Sequence, residues 1–208
     1  MPMDDRCVQC GKFYPSVLGL FVRSVPFCKH CLQKAYEEIH VSEYKGYPLY
    51  YLHTYNEENM GQLISLKGNG EKWYKDLLIH PKIRQALHKR FKDHTFVYMP
   101  SHREDDEERG FKHLPVLFEN ITRNEVYPLY KKVRYKQSKY TKQDRVHVRE
   151  RLGVDEELKN TLRNKKVVLV DDVMSSGATL EAARELLELV DVELLVCLYN
   201  EEKRGVEL

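Results

Sequence analysis

A chain of 208 residues that is 42% hydrophobic and 32% charged has enough apolar material for one core of ordinary domain size, which excludes a wholly disordered protein. No apolar run approaches the ~20 residues of a spanning helix, so no membrane insertion is expected, and residues 1–6 lack the basic-then-apolar order of a secretory signal, which points to a cytoplasmic chain. The net charge of +2 hides a segregation: residues 123–151 hold ten Lys or Arg against three acids, a net of +7, and the remainder is net −5.

Four of the five cysteines come first, as Cys7-x-x-Cys10 and Cys28-x-x-Cys31 with 17 residues between the pairs. A two-residue gap lets both sulfurs of a tight knuckle converge on one ion, and two knuckles complete a closed tetrahedral shell of thiolates, the arrangement of structural zinc (Zn2+). Gly11 suits the left-handed turn of such a knuckle. The alternatives are two disulfides, disfavoured in a cytosolic chain, or four reduced thiols matched in spacing by chance. His30, between Cys28 and Cys31, reads as a surface residue. Residues 17–22 are strand-like and 32–39 helix-like. So short a segment depends on its metal to fold, and the expected division is a zinc-ribbon-like module at 1–45 and a main domain at 46–208.

The main domain alternates strands and helices. The pattern predicts a strand at 49–54, helices at 57–66, 71–79 and 82–91, a strand at 95–99, and a helix at 109–121 that Pro115 bends or delays. A basic hairpin follows, then a helix at 141–151, a strand at 166–171, a helix at 179–190 and a strand at 192–199. That alternation argues for an α/β fold with a mostly parallel sheet. Cys197 reads as a buried small hydrophobe.

Within the basic stretch, Lys131, Lys132, Arg134, Lys136 and Lys139 are interleaved with Tyr127, Tyr130, Tyr135 and Tyr140. Cations neutralise phosphates and rings offer bases a face to stack on, a combination that suits single-stranded DNA, with Lys131, Lys132, Arg134, Tyr135, Lys136 and Lys139 as candidate contacts. The plain alternative is a solvated hairpin.

The most informative stretch is 165–180. Residues 167–170 are apolar and mostly β-branched, as in a central parallel strand covered on both faces. Asp171 and Asp172 stand at its carboxyl end, and Ser175, Ser176, Gly177, Ala178 and Thr179 then offer amides and hydroxyls at a helix start, a phosphate site on general grounds. The helix would bury Leu180, Ala183, Leu186, Leu187 and Val190 on one face. No Lys follows the glycine, so this is not a Walker loop.

Apolar strand, two acids and a Ser/Thr-Gly-x-Thr loop resemble the signature of the type I phosphoribosyltransferases. The resemblance implies that the loop holds the 5′-phosphate of phosphoribosyl pyrophosphate (PRPP), that Asp171 and Asp172 accept the ribose 2′ and 3′ hydroxyls, and that Mg2+ bridges the pyrophosphate. Paired with the cysteine quartet, it narrows to the ComF (ComFC) family of competence-associated phosphoribosyltransferase-like proteins. Leu63-Ile64-Ser65-Leu66-Lys67-Gly68 after Tyr55-Asn56 resembles the segment opening that family's main domain. Phe96-Val97-Tyr98-Met99-Pro100-Ser101 resembles the strand before its pyrophosphate loop, and Arg109-Gly110-Phe111-Lys112-His113 its Arg-Gly-Phe-Asn-Gln element, with Lys-His in place of Asn-Gln. Pro100, Ser101 and Arg109 are thereby candidate pyrophosphate-loop residues. The acidic run at 104–108 either repels pyrophosphate unless Arg103, Arg109 or Mg2+ offsets it, or points away into solvent.

The resemblance implies a zinc-ribbon protein of natural transformation and DNA uptake, acting with a helicase-like competence ATPase of the ComFA type. The alternative is an active phosphoribosyltransferase that passes ribose phosphate from PRPP to an acceptor.

Overall fold

The computed structural model describes residues 6–7, 9–13, 28, 30–31, 38–68, 72–132 and 151–201. Within them the chain runs β1 (His40–Tyr44), β2 (Tyr47–Thr54), α1 (Glu57–Gly68), α2 (Tyr74–Leu78), α3 (Pro81–Phe91), β3 (Thr95–Tyr98), α4 (Arg103–Arg109), α5 (His113–Leu117), β4 (Asn124–Val126), β5 (Leu129–Lys131), β6 (Leu152–Val154), α6 (Glu156–Asn160), β7 (Val167–Met174), α7 (Ala178–Leu186) and β8 (Val192–Tyr199).

Six strands form one sheet in the order β1-β2-β8-β7-β3-β4. Its inner pairs are parallel, and β1 closes one edge antiparallel to β2. The expected α/β fold with a mostly parallel sheet is therefore present. Its centre follows from composition: Val167, Val168, Leu169 and Val170 are each at most 1% exposed, and a strand covered on both faces has to be apolar throughout. Phe96, Leu195 and Val196 fill the flanking strands and Cys197 is fully buried among them. Among the described residues no helix is long and apolar enough to cross a membrane.

Several boundaries differ from the sequence pattern for local reasons. β7 continues past 171, because Asp171, Val173 and Met174 pair with Val196, Leu198 and Tyr199 of β8. Both acids are thus strand residues. The helix expected at 109–121 is instead two short ones. Gly110, at φ +74°, caps α4 by donating its N–H to the Asp106 and Glu107 carbonyls, and that left-handed turn ends the first helix before α5 starts. The acidic run becomes helical because Glu104, Asp105 and Asp106 occupy a first turn, where the peptide dipoles favour negative charge. α7 stops at Leu186, and Glu188 at φ +55° turns the chain away, so Val190, expected on the buried face, is 88% exposed.

β1 has no counterpart in the elements expected from the sequence. It lies within 1–45 yet pairs with β2 through the two-residue turn Lys45-Gly46, where φ is +49° and +86°, the backbone a tight hairpin needs. β5 and β6 form a separate antiparallel pair, and Lys132 N–H donates to the Arg151 carbonyl at 2.9 Å. That pair brings Lys132 and Arg151 side by side. The expected helix at 141–151, apart from Arg151, lies outside the described residues, as do residues 17–22 and 32–37 of the strand-like and helix-like ribbon segments.

Candidate functional site

The two acids near the carboxyl end of β7 have opposite circumstances. Asp172 is 7% exposed, and it faces Lys67 in the last turn of α1 and His113 at the start of α5. Lys67 forms an ion pair with Asp172 Oδ2, and His113 Nε2 lies 2.6 Å from the same oxygen. An ionised carboxylate only accepts, so the imidazole donates. Burial works against this charge, but Lys67 and His113 outweigh it and hold the Asp172 carboxyl far below its usual range. Asp171 is half-buried and accepts the Asp172 N–H at 2.9 Å. Burial, then the neighbouring Asp172 charge, lift its carboxyl to about 7. One acid is a fixed anion and the other titrates near neutrality.

The same network reaches the other candidates. Arg109 donates through Nε to the Lys67 carbonyl at 2.6 Å and through Nη1 to Asp106 Oδ1 at 3.1 Å, with His113 Nδ1 3.5 Å from Nη1. Ser101 donates to the same Asp106 oxygen at 2.6 Å. Ser101, Asp106, Arg109, His113, Asp172 and Lys67 are therefore one connected set. Glu107 pairs with Arg103 at 2.6 Å. Two of the five acids at 104–108 are thus answered by arginines, and Asp106 points inward as an acceptor instead of away from the protein.

The 175–179 loop joins β7 to α7. Gly177 sits at φ +74°, ψ 0°, and a Cβ there would lie 2.5 Å from the Tyr44 ring, so only glycine fits. Ser175, Ser176, Ala178 and Thr179 are half-buried around it, at the positive end of a nine-residue helix where an anion is favoured. Beside the acids opens a cavity of about 580 Å³ walled by Met99, Pro100, Phe111, His113, Tyr127 and Tyr130. Lys131, at its rim, is close enough to feel the charges of Asp171, Asp105 and Asp172. Lys132 is exposed, whereas Arg134, Tyr135, Lys136 and Lys139 lie outside the described residues.

Lys67 and His113 are the residues that sequence reasoning missed as site members. Both sit in segments that resemble family elements, but the signal that selects them is physical: a buried acid requires a cation or donor from a neighbouring element.

The four amino-terminal thiols converge as their spacing suggests. The Sγ atoms of Cys7, Cys10, Cys28 and Cys31 all lie within 4.8 Å of one another. Cys31 N–H points at the Cys28 sulfur at 3.5 Å, and Gly11 at φ +67° donates to the Cys7 carbonyl at 2.7 Å, the left-handed knuckle turn. Four sulfurs, three of them buried, fit a metal ion such as zinc and leave no position for a fifth partner. The cluster packs on Leu77 and Tyr74 of α2, and His30 is exposed.

Residues 109–207 match the family model of the phosphoribosyl transferase domain. Over 98 residues the chain is 35% identical to competence protein ComFC of Bacillus subtilis (strain 168), which covers 47% of this chain and 40% of that protein. The chain is thus matched over less than half of that relative's length. Solved structures with a similar arrangement include a hypoxanthine phosphoribosyltransferase from Staphylococcus aureus (TM-score 0.37, 13% identity, 64% of this chain and 67% of that one). An adenine phosphoribosyltransferase is also similar (TM-score 0.38, 15% identity, 84% of this chain and 92% of that one). Over just under half of its length the chain is thus similar to ComFC and to the phosphoribosyl transferase domain, and its four clustered cysteines could hold a metal such as zinc.

Three outcomes are expected from this geometry. Cys28→Ser should remove most of the bound metal measured by elemental analysis, and a retained full equivalent would show that the ion does not need this thiol. Asp172→Asn should cost about 3–5 kcal/mol in urea unfolding at pH 7, because it leaves Lys67 and His113 facing no anion. Asp171→Asn should do the reverse as pH rises. A carboxyl whose folded pKa is raised to about 7 supports folding below its unfolded value and loses that support as pH climbs through 7. The variant should therefore gain on the parent chain between pH 5 and pH 8, and parallel pH curves would refute the assignment.

Proposed function

We propose that this chain is a cytoplasmic competence protein of natural transformation. It binds a ribose phosphate of the PRPP type between β7 and α7 and single-stranded DNA along the basic segment, and acts with a helicase-like ATPase of the ComFA type. The similarity to competence protein ComFC supports the biological setting, and the phosphoribosyl transferase domain match supports the ligand class.

The observation that carries the reading is the acid pair in the second half of β7, a few residues before a glycine-tightened loop at the carboxyl edge of a parallel sheet, the place where such sheets bind ligands. In this reading the amides and hydroxyls of Ser175, Ser176, Gly177, Ala178 and Thr179 take the 5′-phosphate. Asp171, the half-exposed acid, accepts the ribose hydroxyls, with Asp172 fixed beside it by Lys67 and His113. Pro100, Ser101 and Arg109 face the pyrophosphate end, where Mg2+ bound with PRPP would neutralise its charge. Residues 1–45 hold a structural Zn2+ and lend β1 to the sheet of the ligand-binding domain that residues 46–208 otherwise form. Lys131 and Lys132 begin the strand-binding segment that continues through Arg134, Tyr135, Lys136 and Lys139.

A second reading, an active phosphoribosyltransferase, draws support from the aromatic-walled cavity of about 580 Å³ next to the acids, large enough for a planar acceptor.

Calorimetric titration with ribose-5-phosphate, and with PRPP plus Mg2+, tests the ligand. The parent chain should bind both, and Asp171→Asn should lose at least about tenfold in affinity with its zinc content intact; no heat with either ligand would end the reading. Pyrophosphate release during the PRPP titration, on addition of acceptor bases, would select the enzyme. Lys131→Ala combined with Lys132→Ala should flatten the salt dependence of binding to labelled single strands by about 0.7 for each phosphate no longer neutralised, and an unchanged slope would place the DNA elsewhere.

A further inference from the structure

The β1–β2 turn is far from the acids in sequence, yet its tip lies against the loop between β7 and α7. Tyr44 Oη donates to the Ser176 carbonyl at 2.8 Å. Its ring covers Gly177 so closely that a Cβ there would stand 2.5 Å from Cζ and 2.6 Å from the hydroxyl. Burial raises the Tyr44 phenol above its ordinary range, so it remains a protonated donor. The next residue, Lys45, places Nζ 2.7 and 2.8 Å from the two carboxylate oxygens of Glu181 in the first turn of α7.

Each contact has a consequence for an anion at this loop. A trans peptide is planar, with its C=O and N–H on opposite sides. Pinning the Ser176 carbonyl toward the hairpin therefore turns the Gly177 N–H away from it, so that this amide is held in direction before any ligand arrives. Such preorganisation strengthens binding by removing the ordering cost from the binding step. Glu181 has the opposite tendency: a carboxylate in the first turn uses the same positive helix end that would attract a phosphate. Lys45 cancels that charge. With the lysine 54% and the glutamate 30% exposed, the pair adds little to stability. Its effect belongs to the anion.

We infer that the Tyr44-Lys45 turn is a positioning element for the phosphate loop, in which Tyr44 orients the Ser176–Gly177 peptide and Lys45 neutralises Glu181. The inference rests on the ribose-phosphate reading above and adds β1 to the site. Neither residue is catalytic, since both act through the loop.

The test is titration of the zinc-loaded full chain with ribose-5-phosphate at low salt, far below its melting temperature. Tyr44→Phe keeps the ring over Gly177 and deletes only the donor, and it should weaken binding about three- to tenfold while metal content is unchanged. Lys45→Met should also weaken binding, and adding Glu181→Gln to it should restore most of the loss, a rescue that a merely structural role would not produce. Parent-like affinity in Tyr44→Phe overturns the part of Tyr44. Failure of Glu181→Gln to rescue Lys45→Met overturns the part of Lys45. Absence of binding by the unaltered chain overturns the ribose-phosphate reading and this inference with it, an outcome distinct from the other two.

Discussion

A carboxylate that is 7% exposed cannot keep its charge without partners, and Asp172 recruits Lys67 from α1 and His113 from α5. This charge fixes more than its own position. Because Arg109 donates to the Lys67 carbonyl and to Asp106, the same centre also ties down α4 and, through Ser101, the chain that leaves β3. Buried ion pairs seldom exceed well-packed apolar groups in stabilising power, so stability alone does not account for such a network. Its clearest physical effect is on the neighbour. Burial, reinforced by the permanent anion of Asp172 one residue away, drives Asp171 to a carboxyl pKa of about 7 and makes it the acid whose charge is adjustable. Division of labour between two adjacent carboxylates follows from environment, not from residue type.

The features legible in the sequence are those with a short-range physical signature. Residues 167–170 announce a doubly covered strand because every side chain there is apolar. The cysteine spacing announces a tetrathiolate site because two knuckles admit few other geometries. Gly177 announces a tight loop. The features that escaped are settled by partners remote in sequence. Nothing local marks β1 as a strand, although Lys45-Gly46 is a hairpin turn once Tyr44 and Tyr47 are known to pair. The length of β7 is set by its ladder with β8, and the helical state of residues 103–109 by dipole and capping effects that compete with the repulsion of five acids. The positive φ of Glu188, which strands Val190 in solvent, has no signal in the hydrophobic period of α7.

The basic charge is anchored at a defined point on this frame. β5 and β6 pair through Leu129, Tyr130 and Lys131 against Leu152, Gly153 and Val154. Gly153 is opposite Tyr130, whose ring lies across it so tightly that a Cβ would come within 2.3 Å of Cζ. A missing side chain on one strand thus lets an aromatic ring lie flat on the other, and Tyr130 remains 52% exposed at the wall of the cavity. Tyr127, stacked on Tyr98 with Lys112 Nζ 4.2 Å above its ring, adds a second aromatic wall beside a cation. Lys131 and Lys132 stand at this place, and Lys131 is close enough to feel the charges of Asp171 and Asp172.

In chain order the thiol cluster precedes the strand that meets the β7–α7 loop. The thiol cluster sits on Leu77 and Tyr74 of α2, and a few residues after Cys31 the chain enters β1, whose last residue is Tyr44. β1 is an edge strand with one neighbour in the sheet, so its ladder with β2 fixes only one side of it. It is held further by Ile39, which packs on the core just before it, and by the contacts of Tyr44 and Lys45 at its turn end. Tyr44 thus ties the turn end of this edge strand to Ser176 and Gly177. Both places are assembled from residues remote in sequence, since 24 residues separate Cys7 from Cys31 and 132 separate Tyr44 from Ser176.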